Sequence, residues 1–296
     1  MKRALVAGVF VVAAFAAAVV VLAGRGGREE QPAATTASPS RTAGLPAPPP
    51  GALVVAREAG PLAVALAAEP GRLTALVLAP SGSPRDGLRV RFLPSGAAAS
   101  PCGHGCYTAP VAPGGRVVVE LAAGGSVRRA AFSLPARAPA ADRLVRRARV
   151  AFRALAGVSY EERLASDRTH VLETSWRLEK PDRLRYSIAH GPAAIVVGAR
   201  RWDRSAPGDP WRASAQLPRL PQPATQWRRS TNAHLLSRRG DEAVVSFVDP
   251  TIPAFFTLTL NVRTLRPRLL EMTAAAHFMR DRYTSFSPAR EIRPPR

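Results

Sequence analysis

The stretch Thr169-His-Val-Leu-Glu-Thr-Ser-Trp-Arg-Leu-Glu-Lys-Pro-Asp-Arg-Leu-Arg-Tyr-Ser-Ile188 decides how this chain is read. Val171, Glu173, Ser175 and Arg177 alternate with Leu172, Thr174, Trp176 and Leu178. A period of two belongs to a strand whose two faces differ. Pro181-Asp182 breaks the run as a turn, and Leu184-Arg-Tyr-Ser-Ile188 resumes the alternation. The pattern continues on both sides. Val158–Leu164 precedes it; Gly191-Pro192 turns into Ile195-Val-Val197 and then Arg201-Trp202, with Ala206–Pro210 as a hairpin tip before Trp211. Further runs stand at Ala233–Ser237, Ala243–Val248, Phe255–Asn261 and Leu269–Ala276, with Ile292 beyond. Successive strands joined by tight turns build an antiparallel meander, so residues 138–296 are expected to be mainly β.

One helix is expected ahead of this meander. Over Ala140–Leu155, Leu144, Ala148, Ala151, Phe152 and Leu155 form an apolar stripe, with arginines largely elsewhere. Asp142 suits the positive end of the helix dipole, and Gly157 suits its stop.

Residues 53–136 carry shorter runs. Leu62–Leu66 and Leu73–Leu78 flank Glu69-Pro-Gly71; Leu88, Val90 and Phe92 alternate with Arg89 and Arg91; Val117–Leu121 and Val127–Leu134 follow glycine turns. Five or six short strands in this span predict a small β-sandwich. Its one chemical feature is Cys102-Gly-His104-Gly-Cys106. In an exported chain the two cysteines form a hairpin-tip disulfide most simply. The alternatives are a soft-metal site with His104, copper being the metal such ligands suit, and a free reactive pair.

The first 52 residues point to a membrane. Lys2 and Arg3, in residues 1–3, precede an uncharged run, Ala4–Gly24. At ~1.5 Å per residue that run spans ~30 Å, one hydrocarbon core. It reads as a retained single-pass anchor with residues 1–3 cytoplasmic and the bulk of the chain extracytoplasmic, a cleaved signal being the alternative. Residues 25–52, rich in Pro, Ala, Ser and Thr, read as a spacer. The formal net charge is +21, and all but Lys2 and Lys180 of the 42 basic residues are arginine. Such a field suits an anionic membrane surface, or reflects composition alone. Nucleic acid is not expected as a partner, because no recognition motif accompanies the charge.

The module around Leu73–Pro80, Gly87-Leu-Arg-Val-Arg-Phe92 and Cys102–Tyr107 resembles a copper-resistance-associated, immunoglobulin-like domain of bacterial membrane proteins. The helix, the strand after it, Trp176–Ile188, Ile195-Val-Val-Gly198 and Arg201-Trp-Asp203 together resemble the LolA-like and LppX-like lipoprotein-carrier superfamily. The whole order, with Thr231–Leu236, Ser246–Pro250 and Met272–Met279, also resembles the extracytoplasmic tail of actinobacterial CopC/CopD-type copper-resistance proteins, without their multi-span part. The carrier resemblance implies a curved antiparallel half-barrel, with a helix over an apolar hollow that takes a lipid or acyl chain. Trp176, Leu178, Tyr186, Ile188, Ile195, Val197, Trp202, Phe247, Phe256 and Leu258 are then the candidate lining, or ordinary core if the hollow is filled. The copper resemblance points to a possible multi-span envelope partner.

Met272, His277 and Met279 are a second candidate soft-metal set beside Cys102, His104 and Cys106. On one continuous strand His277 and Met279 share a face and Met272 takes the other; the plain alternative is Met as core filler. His234 stands without a nearby ligand. Arg201 and Arg204 are candidates for a headgroup phosphate, or a solvated hairpin. No enzyme is expected. The chain lacks a Gly-rich phosphate loop with Lys, an H-E-x-x-H and a G-x-S-x-G. The carboxylate pair Glu161-Glu162 falls on opposite faces of a strand. No cofactor is expected, copper apart.

Overall fold

The computed structural model describes residues 48–167, 169–287 and 291–295. They are mainly β, with a single helix. The expected anchor, Ala4–Gly24, and nearly all of the expected spacer lie outside the described residues. Among the described residues no helix is long and apolar enough to cross a membrane.

Nine strands make two facing sheets: β1 (Leu53–Ala59), β2 (Leu62–Glu69), β3 (Arg72–Leu78), β4 (Arg89–Leu93), β5 (Ala97–Ala98), β6 (Ser100–Gly103), β7 (Cys106–Ala109), β8 (Gly115–Ala123) and β9 (Ser126–Leu134). The sheet orders are β1-β2-β3-β7-β6 and β5-β4-β8-β9. Val64, Leu66, Leu73 and Val77 from the first sheet meet Val90, Phe92, Val119 and Phe132 from the second in one core. The alternation in β4 holds, with Val90 and Phe92 inside and Arg89 and Arg91 exposed. The strands beyond the five or six expected are short, except β1.

The second region opens with α1 (Asp142–Ala154) and continues through β10 (Gly157–Ala165), β11 (Val171–Glu179), β12 (Arg183–Ile188), β13 (Ala193–Val197), β14 (Arg200–Arg204) and β15 (Arg212–Ala215). It then returns through β16 (Thr231–Arg239), β17 (Glu242–Asp249), β18 (Ala254–Asn261), β19 (Pro267–Ala274) and β20 (His277–Ser285). All eleven strands form one sheet in the order β15-β14-β13-β12-β11-β10-β20-β19-β18-β17-β16. Two meanders thus meet where the first strand pairs with the last, β10 antiparallel to β20.

Several local expectations change. The run read as one strand over Leu269–Ala276 is the first half of a hairpin, because the chain turns at Ala275-Ala276, with Ala276 at φ +55°. No Gly, Pro or Asn marks that turn. It sets Met272 directly opposite Met279 on one face, not on opposite faces. In α1 the buried stripe is Val145, Ala148 and Phe152, while Leu144 is only partly buried. Gly157 does not stop the helix; it opens β10.

Part of each face of the eleven-stranded sheet is covered. On one, α1 lays Val145 and Ala148 against Trp227, Phe247, Phe256, Leu258, Leu260 and Leu270. A helix of this length is marginal alone, so burial of its apolar stripe holds it, at ~1.5–3 kcal/mol for a side chain such as Phe152. On the other face, Val248 and Phe255 meet Ala52, Val54, Ala65, Ala67 and Leu76 of the sandwich. Phe278 and Ala165 meet Ala63 and Leu78. This explains β2, whose first seven residues are all buried. Leu62, Val64, Leu66 and Ala68 face the sandwich core, and the small residues Ala63, Ala65 and Ala67 face the long sheet. Residues 48–295 accordingly belong to one compact unit.

Candidate functional site

Cross-strand register divides the ten candidate lining residues between the two faces. Trp176 lies opposite Tyr186, Leu178 opposite Leu184, and Ile188 opposite Thr174. These share the face that bears α1. Ile195 lies opposite Arg185 and Trp202, and Val197 opposite Arg183 and Arg200, so Ile195, Val197 and Trp202 take the other face. Phe247, Phe256 and Leu258 are on the α1 face but sit in the core beneath the helix, essentially without exposure. The candidate site therefore narrows to the β10–β12 side of the helix-bearing face.

Three cross-strand rows cross that side. The first is Tyr283, Tyr160, Trp176 and Tyr186; the second is Asp281, Glu162, Thr174 and Ile188; the third is Met279, Leu164 and Leu172. In the first row Tyr160 stacks on Trp176 at 6.0 Å between ring centroids, Tyr160 meets Tyr283 at 5.3 Å, and Trp176 meets Tyr186 at 5.0 Å. Tyr160 and Tyr186 are buried, whereas Trp176, Glu162, Ile188, Tyr283 and Leu164 are half-buried. Leu172 in the third row is 48% exposed. Along the strands the surface thus passes from an aromatic floor, through a carboxylate row, to an open aliphatic rim.

The carboxylate row is its chemical feature. Glu162 on β10 and Asp281 on β20 are direct antiparallel partners. Asp281 is fully buried. Gln226 donates from Nε2 to Asp281 Oδ2 at 3.4 Å and to the Tyr160 hydroxyl at 3.2 Å. Asp281 Oδ1 is buried with no hydrogen-bond partner. Burial pushes the Glu162 carboxyl up to about 7, against the pull of the neighbouring Trp176 indole. The same indole Nε1 is buried without completing a well-formed hydrogen bond. Burial, and then the Glu162 charge, hold Asp281 well above the ordinary carboxylate range. Burial and these two carboxyls raise Tyr160 and Tyr283 in the same direction. Two carboxyl groups this close disfavour double ionisation, so the pair tends to keep a proton or to attract a cation.

Sequence reasoning passed over this pair. Glu161 and Glu162 do point to opposite faces, as expected: Glu161 is exposed and accepts from Ser175 at 2.6 Å. Asp281 stands between Arg280 and Arg282 and reads as solvated. Alternation across His277–Ser285 was the available signal, since it sets Asp281 on one face with Met279 and Tyr283.

The other candidates are placed as follows. Cys102 and Cys106 are joined in a disulfide, and His104 is exposed at the turn between β6 and β7 with φ +50°. Met272 and Met279 are core residues under α1, and His277 Nδ1 lies 2.9 Å from the Ala275 carbonyl. No cluster of three or more His, Cys, Asp or Glu able to hold a metal occurs among the described residues. His234 pairs with Ala140 in a bridge that starts the approach to α1. Arg201 is bound to Asp203 through Nε and Nη2, and Arg204 lies over Trp211 at 4.9 Å. Two cavities, of about 330 Å³ and 470 Å³, open at the end of the sandwich around Pro61 and Arg128, away from the carboxylate row.

No family model matches the chain, and no curated protein matches it.

Proposed function

We propose that this is a membrane-anchored, extracytoplasmic binding protein that holds a lipid or another hydrophobic ligand. In this reading its second region is a LolA-like half-barrel mounted on an immunoglobulin-like sandwich. The observation that carries the reading is the aliphatic rim: Leu164, Leu172 and Ile188 stay partly exposed on the face that bears α1, beside an aromatic row in which Tyr160 and Tyr186 are buried and Trp176 and Tyr283 half-buried. Binding sites for small apolar ligands combine such a wall with a few convergent polar groups. Phe247, Phe256 and Leu258 contribute by holding α1 in place and not by touching the ligand. The sandwich acts as a fixed post, because its outer sheet face is buried against the opposite face of the long sheet.

The copper reading has no observation in its favour: the two thiols are bonded to each other, and both methionines are enclosed in core.

The test is photolabelling of the full chain in phosphatidylcholine vesicles with a diazirine-bearing long-chain alcohol. Peptides from 157–188 should be labelled alongside the expected anchor, 4–24. Labelling confined to the anchor overturns the reading.

A further inference from the structure

Resting on that reading, we infer that the ligand is a cationic amphiphile, whose amino group sits against Glu162 with Asp281 behind it while its alkyl chain lies along Leu164, Leu172 and Ile188.

The order of the three rows is the first reason. Moving two residues along β10 changes the surface from Tyr160 to Glu162 to Leu164. An alkyl chain on the rim therefore brings its head against a carboxylate. A fatty acid would put a second negative charge there. An amine puts a positive one.

The second reason is Asp281. It is fully buried, Gln226 satisfies only Oδ2, and Oδ1 has no partner. A buried carboxylate oxygen without a partner is costly. No Lys or Arg side chain lies in the first or second row; the arginines of β20, Arg280 and Arg282, alternate onto the opposite face. On the same face Arg201 is held by Asp203 and reaches the Tyr186 hydroxyl at 3.4 Å. Arg149 of α1 turns to the Arg228 carbonyl. In a chain with a formal net charge of +21, the lack of a Lys or Arg in these two rows, among the described residues, is a local arrangement.

The third reason is the aromatic floor. Tyr160, Trp176 and Tyr283 border the carboxylate row with centroid spacings of 5.3 and 6.0 Å between neighbours. Rings beside a carboxylate favour ammonium groups through their negative faces. The remaining neighbours, Thr174 and Gln226, are neutral.

The experiment compares three diazirine probes of equal chain length, ending in a primary amine, a hydroxyl or a carboxylate, on the full chain in phosphatidylcholine vesicles. Labelling of 157–188 is normalised to labelling of 4–24, which reports each probe's concentration in the bilayer. The inference expects the amine to label 157–188 at least ten times more than the carboxylate at pH 7.4. It also expects Glu162→Gln and Asp281→Asn each to bring that ratio within about threefold while alcohol labelling persists. A carboxylate labelling as well as the amine overturns the inference and leaves the binding reading standing. So does an amine preference untouched by both variants. If none of the three probes labels 157–188, both fail. The wild-type ratio decides the matter even where a variant does not fold.

Discussion

Glu162 and Asp281 face each other across the seam between β10 and β20, the one place where the first and last strands of the long sheet meet. Closing the sheet therefore forces two carboxyl groups together. Glu162 is pushed up to about 7 from an ordinary 4.5, and Asp281 moves the same way. Between those values the folded chain binds protons that the unfolded chain releases. This part of the stability is complete below about pH 4.5 and is lost as pH rises through 7. Asp249 has the opposite sign. Burial raises it, but hydrogen bonds from Thr251 and from the Arg228 and Arg229 amides outweigh that and hold it below the usual range, so its share is lost in acid. Urea unfolding should show greatest stability at roughly pH 4–5. Glu162→Gln should flatten the slope between pH 5 and 8 and stabilise the protein at pH 8 by about 1–3 kcal/mol. A wild-type midpoint that is level from pH 5 to 8 contradicts the arrangement. The facing groups are Tyr160, Thr174, Trp176, Gln226, Asp281 and Tyr283, none of which supplies a compensating charge.

Asn232 pins the entry of the sandwich to β16. Its Nδ2 donates to the Pro49 carbonyl at 2.7 Å and to the Ala52 carbonyl at 3.0 Å, and its backbone sits at φ +53°. Asn tolerates that left-handed conformation and Ala does not. Asn232→Ala should lose two hydrogen bonds and add backbone strain, costing about 2–3 kcal/mol in urea unfolding. Asn232→Gly keeps the conformation and should cost less. Equal losses in the two variants would show that the backbone plays no part.

Much of the sheet was legible because alternation survives wherever one face is more buried than the other. The alternation of Trp176 with Ser175 and Arg177, and of Val90 and Phe92 with Arg89 and Arg91, follows from period two alone. β20 was missed because its entering turn, Ala275-Ala276, uses residues with no turn preference and Ala276 is held at positive φ by its context. Three of the ten candidate lining residues, Ile195, Val197 and Trp202, fall on the other face, because alternation gives faces within a strand, not which face of the next strand is shared. Ile195 and Trp202 needed the register to be assigned. The carboxyl pair was hidden for a deeper reason. Its members are 119 positions apart, and only closure of the sheet by β10 and β20 makes them neighbours.

Phe255 and Phe256 are adjacent on β18, both buried, and belong to different cores. Phe256→Ala removes a ring stacked on Phe247 at 5.1 Å beneath α1, and Phe255→Ala removes one that meets the sandwich. Each should cost about 3–5 kcal/mol. Hydrogen exchange separates them. Phe256→Ala should speed exchange in α1, and Phe255→Ala in β1 and β2, each leaving the other region near wild type. A uniform rise in both variants would mean that the two faces open as one cooperative unit.

The turn bearing the disulfide is held more firmly by a glycine than by its sulfur bridge. Gly105 sits at φ +70°, and a Cβ there would lie 2.4 Å from the Val77 carbonyl oxygen and 2.9 Å from the Arg85 amide nitrogen. Both of those atoms are backbone and cannot swing away. The Gly105 amide also donates to Asp86 Oδ1 at 2.7 Å, and its carbonyl accepts from the Val77 amide at 2.8 Å. A side chain at this position must break that double tie of the β6–β7 turn to β3 and to the loop after it. The bridge itself closes a very short loop, with a sequence separation of 4, and chain entropy credits such a loop with only about 2 kcal/mol. Gly105→Ala should therefore destabilise the protein by about 3–4 kcal/mol, with its backbone strain and steric clash acting together. The double variant Cys102→Ser/Cys106→Ser should lose 2 kcal/mol or less. Urea unfolding of both under non-reducing conditions gives the order directly. If the cysteine variant proves the weaker fold, the bridge, and not the close approach at Gly105, is what fastens this end of the sandwich.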